Sequence, residues 1–282
     1  MNKIVTPTIS VCATVNTEAK RIDGFISSLL EFADEIIISD TGSLDDTVQI
    51  VQSYINKGNT KIALHHYKSP GDFHFGLAKN FVMSKCTMDY ILVLDADERL
   101  SESFKENIRP FLIKNRPEVV TIVRCDDLLT SFEESIERIT RRGNEVFHGT
   151  DSDSRVHEHL MHSFKPIIFP YPVWHCQREK HWLLMPHSRF YYLSLEIERT
   201  PKTKSFFGHL LRGLWKFQYK FKKIYFSKNM RKEREGFRYA SLRALYDLMI
   251  EFFVGLKRQD YRYWEEGVYR KILKEKLGTV TK

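Results

Sequence analysis

The chain has 282 residues, 42% of them hydrophobic and 28% charged, with 9 prolines and a formal charge of +8, a balance that suits one large α/β body with or without an extension and excludes disordered and fibrous chains. Four cysteines, Cys12, Cys86, Cys125 and Cys176, show no CxxC pairing, which argues against a disulfide framework or a zinc ribbon and suits a reducing cytosol. No run reaches the roughly 18 uncharged apolar residues of a membrane span, and the first residues, broken by Pro7, read as a strand and not as a signal peptide.

In chain order, 8–15 (TISVCATV) and 35–39 (EIIIS) are β-branched runs. Between them Ile22, Phe25, Ile26, Leu29 and Leu30 recur at helical spacing, so the segment predicts a β-α-β unit. A second helix is expected over about 45–56, with Val48, Val51 and Ile55 on one side and Asp45 or Thr47 able to cap it. A strand at 61–66, a helix at 76–86 and a strand at 90–94 follow. Such alternation implies a mainly parallel sheet covered by helices on both faces. From about Ser135 the pattern reads as loops and short strands, with six histidines between His148 and His181.

After Lys202 the helical period returns, with Phe207, Leu210, Leu211, Leu214, Phe217, Phe221, Ile224 and Tyr225 on one expected face. Gly236 opens a last helical stretch through Leu242, Leu245, Met249, Phe252 and Leu256. These segments divide the chain into an α/β half (1–130), loops and short strands (131–200) and a basic helical extension (201–282). The charge follows that division: from Arg199 onward there are 22 Lys/Arg against 8 Asp/Glu, leaving 22 against 28 before it. A basic, aromatic-rich extension points to an anionic polymer or membrane as partner, or to a helix that packs its aromatics and snorkels its lysines. Nucleic acid is disfavoured, because no base-reading motif accompanies the charge.

Two motifs carry chemistry. In ILVLDADE the apolar run reads as a strand buried on both faces, and Asp95 and Asp97 follow its carboxyl end, where open α/β sheets collect ligands. If the backbone stays extended there, both carboxylates point to one side and can share Mg²⁺ or Mn²⁺; the alternative is a helix cap. In IIISDTGSLDDT, Asp40 ends a strand before a Gly42 turn. That carboxylate either accepts hydrogen bonds from a ligand or caps its own turn. His157, His159 and His162 have zinc-like spacing but no convincing fourth ligand nearby.

Taken together, ISVCATVNTE, IIISDTGSLDDT, FGLAKNF and ILVLDADE resemble the nucleotide-sugar-binding half of family 2 glycosyltransferases of the glycosyltransferase A fold. More narrowly they are similar to small bacterial enzymes that extend lipopolysaccharide or lipooligosaccharide cores, as are Val156-His157-Glu158 and the Gly236-Phe237 helix start. The resemblance implies a Rossmann-like α/β sheet with a helical C-terminal extension. It implies that Thr14, Val15, Asn16, Glu18, Asp40, Gly42, Lys79, Asp95 and Ala96 line the nucleotide-sugar. Asp95 and Asp97 match the metal-binding pair for Mn²⁺ or Mg²⁺; on the residues' own chemistry, His157 or His175 is expected either to complete that site or to contact the diphosphate. Lys79 stands where the family usually has arginine, and Val15-Asn16-Thr17-Glu18 departs from the usual Lys-Asn-Glu-Glu.

Glu158 is the expected general base of an inverting transfer, with Asp126 or Asp127 as substitutes. The expected reaction moves a hexose, glucose foremost, from a UDP-sugar to a lipid-linked saccharide at the inner face of the cytoplasmic membrane. A protein acceptor, a sugar nucleotidyltransferase and a non-catalytic membrane or nucleic-acid adaptor are the competing readings.

Overall fold

The computed structural model describes residues 6–70, 73–126, 133–143, 147–148, 160–176, 193, 197, 200–226, 230–232 and 236–256. The chain forms two compact units, Met1–His181 and Trp182–Lys282.

The first unit is built on β1 (Ile9–Val15), α1 (Ala19–Leu29), β2 (Glu35–Asp40), α2 (Thr47–Asn56), β3 (Ile62–His66), α3 (Phe75–Met83), β4 (Tyr90–Val93), β5 (Glu98–Leu100), α4 (Glu102–Asn115), β6 (Val119–Asp126), β7 (Glu133–Arg141) and β10 (Ile167–His175). Short strands β8 (Phe147–His148) and β9 (Leu160–Met161) pair separately. The eight-stranded sheet runs β3-β2-β1-β4-β7-β6-β10-β5. Its first four strands are parallel; β7 is antiparallel to β4 and β6, and β10 is parallel to β6.

Strand alternation sorts the apolar residues to two faces. Val11, Ala13, Ile36, Ile38, Leu92 and Leu94 join Ile22, Phe25, Ile26 and Leu29 of α1 and Phe104 of α4 in the larger core. The intervening Cys12, Ile37, Ile91 and Val93 meet Val82 and Met83 of α3 on the other side. Each fully buried Ile or Leu contributes roughly 1.5–3 kcal/mol, so neither face can turn to water without loss of the fold. Phe104 and Phe169 lock α4 to β10 edge to face, with ring centroids 5.0 Å apart.

The segment read as loops and short strands holds two strands of nine residues, β7 and β10, both in the main sheet. Its period is hidden because charged residues such as Arg138 are buried in ion pairs instead of facing water.

The second unit contains α5 (Phe206–Tyr225) and α6 (Gly236–Leu256), with a 3-10 turn at Met230–Lys232. Ser205 caps α5, its hydroxyl accepting from the Gly208 N–H. The helices meet where Gly213 lies against Leu248 and Glu251, and a methyl at Gly213 would stand 2.9 Å from Leu248. The buried contact is polar: Glu251 accepts from Lys216 at 2.7 Å and from Arg212 at 2.8 Å, and pairs with His209 at 2.8 Å. Phe207, Leu211 and Leu214, which their spacing sets on one face, are exposed, as are Trp215 (63%) and Tyr219, whose rings stack 5.5 Å apart. Further along the expected face, Phe221 and Tyr225 pack on Phe237 of α6, with ring centroids 5.6 and 5.7 Å away. No helix among the described residues is long and apolar enough to cross a membrane.

Candidate active site

In the order β3-β2-β1-β4 the chain adds strands on one side of β1 and then returns to the other, so β1 and β4 flank a topological switch point. The carboxyl ends of β1 and β2 lie in register, Thr14 beside Ser39 and Val15 beside Asp40. The loops that follow are tied together. Asn16 Nδ2 donates to Thr41 Oγ1 at 3.2 Å, the Thr17 N–H to Ser43 Oγ at 2.9 Å and the Glu18 N–H to Thr47 Oγ1 at 2.7 Å. Thr17 takes a left-handed φ of 57° to make this turn. The Glu18 carboxylate is ion-paired with Arg21.

Asp40 does what a strand-end aspartate does in a tight turn. Its Oδ2 accepts from the Gly42 N–H at 3.1 Å and its Oδ1 from the Ser43 N–H at 3.0 Å, while Gly42 has φ 106°. Each carboxylate oxygen can accept more than one hydrogen bond, so the turn role and a ligand role are compatible. His66 Nδ1 lies 3.5 Å from Oδ2.

The second motif departs from the extended reading. β4 ends at Val93, and the Glu98 N–H donates to the Asp95 carbonyl at 2.9 Å, closing a turn over Asp95-Ala96-Asp97-Glu98. Within this turn the two carboxylates take different partners. Asp95 Oδ1 lies 3.1 Å from Lys79 Nζ, and its Oδ2 lies 2.8 Å from Arg138 Nη2. Lys79 is only 3% exposed on α3, whereas Asp95 is 35% exposed. Burial opposes its charge, but Arg138 and then Lys79 outweigh burial and hold the Asp95 carboxyl well below the usual carboxylate range. Ala96 is buried, and its carbonyl accepts from Arg99 Nη1 at 2.8 Å.

Asp97 is buried, with Oδ2 3.4 Å from His175 Nε2 on β10. Glu98 is 1% exposed; it accepts from the Asp95 N–H at 3.0 Å and meets Arg124 at 3.3 Å and Arg138 at 3.4 Å. Arg124 is also paired with Glu134. Sequence reasoning gave no role to Glu98, Arg124 or Arg138. The trace of Arg124 and Arg138 was charge inside β-branched runs, such as Arg138 in SIERIT, and that of Glu98 was the acid that ends ILVLDADE.

The fold thus gathers Thr14, Val15, Asn16, Glu18, Asp40 and Gly42 at the ends of β1 and β2, and Lys79, Asp95, Ala96, Asp97 and His175 around the turn after β4. Asp126 ends β6 in register with His175. Asp127, His157, Glu158 and His159 lie outside the described residues. His162 is paired with Glu137 at 3.0 Å and stacked on Phe164, a scaffold role. Among the described residues no group of three or more His, Cys, Asp and Glu converges as a metal site.

The model of glycosyl transferase family 2 matches residues 10–170, more than half of the chain. Over 108 residues the chain is 34% identical to an uncharacterized glycosyltransferase of Rickettsia conorii, covering 38% of this chain and 35% of that one. Over 91 residues it is 35% identical to the lipopolysaccharide core biosynthesis glycosyltransferase LpsC of Rhizobium meliloti, covering 32% of each. These matches span about a third of the length of the curated relatives. Among solved structures, the mannosyltransferase PcManGT from Pyrobaculum calidifontis in complex with GDP-Man and Mn²⁺ is 12% identical, with a TM-score of 0.47, over 99% of this chain and 81% of that one.

Proposed function

The chain belongs to glycosyl transferase family 2, and from that premise we propose that it is an inverting transferase that moves a hexose, glucose foremost, from a UDP-sugar to a hydroxyl of a lipid-linked saccharide. The observation that carries this reading is the turn after β4. It lies beside the switch point of a glycosyltransferase A sheet and presents an ionised Asp95 next to the Asp97–His175 pair. Likeness to LpsC supports a lipopolysaccharide-core acceptor.

In this reading Asp40 and the loops after β1 and β2 receive the nucleoside. Asp95, kept ionised by Lys79 and Arg138, accepts hydrogen bonds from donor hydroxyls. Asp97 and His175 offer one carboxylate and one imidazole, a donor set that would hold a divalent ion together with the donor's phosphates. A bound Mn²⁺ or Mg²⁺ would offset charge on the departing UDP. Asp95 is less suited to the ion, because its oxygens already face two cations.

Glu158 takes the proton of the acceptor hydroxyl. The hydroxyl oxygen then bonds to the anomeric carbon from the side opposite UDP as the bond to UDP breaks. The exposed apolar stripe of α5 and the net positive charge of the last third suit peripheral attachment to an anionic membrane at its cytoplasmic face. The test is a panel of UDP- and GDP-sugars scored for protection against thermal unfolding with Mn²⁺, Mg²⁺ or chelator, followed by UDP release and glycan masses from a deletion strain. UDP-glucose should protect and release UDP. A protein that bound a UDP-sugar but never released UDP would be an adaptor and would sink the proposal.

A further inference from the structure

Along the pairing of β6 with β7, Val120 lies opposite Ile139 and Thr121 opposite Glu137, so Arg138 is an extra residue in β7. A bulge of this kind bends its strand and re-aims a side chain. Arg138 Nη2 reaches 2.8 Å from Asp95 Oδ2 and 3.4 Å from Glu98 Oε1. The same Glu98 carboxylate accepts the Asp95 N–H at 3.0 Å. The three residues close a ring: Glu98 holds the backbone of Asp95, Arg138 holds its carboxylate, and Glu98 and Arg138 hold each other. Arg124 meets the same Glu98 oxygen, Oε1, at 3.3 Å, and no contact between Arg124 and Asp95 is seen among the described residues.

We infer that Arg138, delivered by the β7 bulge, is a positioning residue that fixes the Asp95 carboxylate for the donor nucleotide. A charge-assisted bond from a buried guanidinium sets the direction of the carboxylate oxygens as well as their charge. Lys79 bonds the other oxygen as a point charge, so Arg138 is the partner that links side chain and turn backbone into one unit. The inference rests on the reading of Asp95 as a donor contact.

The test is a double-mutant cycle on nucleotide affinity, with UDP and GDP titrated into wild type, Arg138→Gln, Asp95→Asn and the double variant, and with thermal melts on each. Arg124→Gln serves as a control that removes a guanidinium from Glu98 and Glu134 without removing a partner of Asp95. Arg138→Gln should weaken UDP binding by roughly tenfold or more, and in the Asp95→Asn background it should add no further loss. Arg124→Gln should keep affinity within about twofold even if its melting temperature falls as far, a difference a purely structural role cannot produce. Full additivity in the double variant, or an equal affinity loss in Arg124→Gln, would overturn the inference. If Arg138→Gln does not fold, Arg138→Lys replaces it in the same cycle, with the same non-additivity required. A wild-type protein that bound neither UDP nor GDP would overturn the donor reading itself, and this inference with it.

Discussion

His175 Nε2 stands 3.4 Å from Asp97 Oδ2 because β10 pairs antiparallel with β5, which sets His175 opposite Glu98 at the end of the Asp95–Glu98 turn. A sheet pairing therefore assembles a carboxylate from the middle of the first unit's sequence and an imidazole from near its end. Asp97→Ala and His175→Ala should each lose the cation-dependent part of UDP binding by roughly tenfold or more. Affinity measured in chelator should be unchanged. Asp95→Asn should instead weaken UDP with and without cation. Titrations in Mn²⁺ and in chelator separate the two patterns, and a His175→Ala protein with wild-type cation dependence would remove His175 from the site.

Glu158→Gln keeps the size of the side chain and removes its capacity to take a proton. Turnover should fall by roughly 10²-fold or more while UDP affinity stays near wild type. A matching loss of UDP affinity would make Glu158 a donor contact and leave the base to Asp126 or Asp127.

On α5, Lys216 and Lys220 are engaged by Glu251 at 2.7 Å and Asp247 at 3.1 Å, whereas Lys222 and Lys223 are exposed. Charge reversal at Lys222 and Lys223 should weaken sedimentation with anionic vesicles by about 1 kcal/mol for each charge, and salt should mimic it. Serine at Trp215 and Tyr219 should cost vesicle binding with little change in thermal stability, since both rings are exposed. Unchanged binding in all these variants would exclude α5 as the anchor and move the acceptor toward a soluble sugar or a protein.

Burial alone would raise the pKa of Glu251, but Lys216, His209 and Arg212 lower it to about 2 from 4.5. Its folded pKa is depressed, so its stabilisation is fully present above the ordinary glutamate range and is lost as the pH falls toward about 2. Glu251→Gln should cost roughly 1–3 kcal/mol near neutral pH. That is below the range for a sealed ion pair, because Lys216 keeps access to water. Melts of variant and wild type should converge in acid; a constant gap across the pH range would disprove this electrostatic account.

The alternation of β1 to α3 was legible because Ile36, Ile37, Ile38 and the α1 residues Ile22, Phe25, Ile26 and Leu29 obey local periods that follow from which face meets the core. The positions of Asp40 and Asp95 at strand ends were legible for the same reason: charge begins where two-sided burial stops. What the sequence could not state was direction. Whether Asp95 and Asp97 point together depends on a turn sealed by Glu98, and the partner of Asp95 depends on a one-residue bulge in β7. Which side of α5 meets α6 at Gly213 depends on Glu251 of α6 pairing with Lys216, Arg212 and His209, while Phe207 and Leu211 stay exposed. Periodicity records how often a side chain is buried, but only the packed structure decides which charge it meets there, because ion pairs form between segments distant in sequence and leave no period of their own.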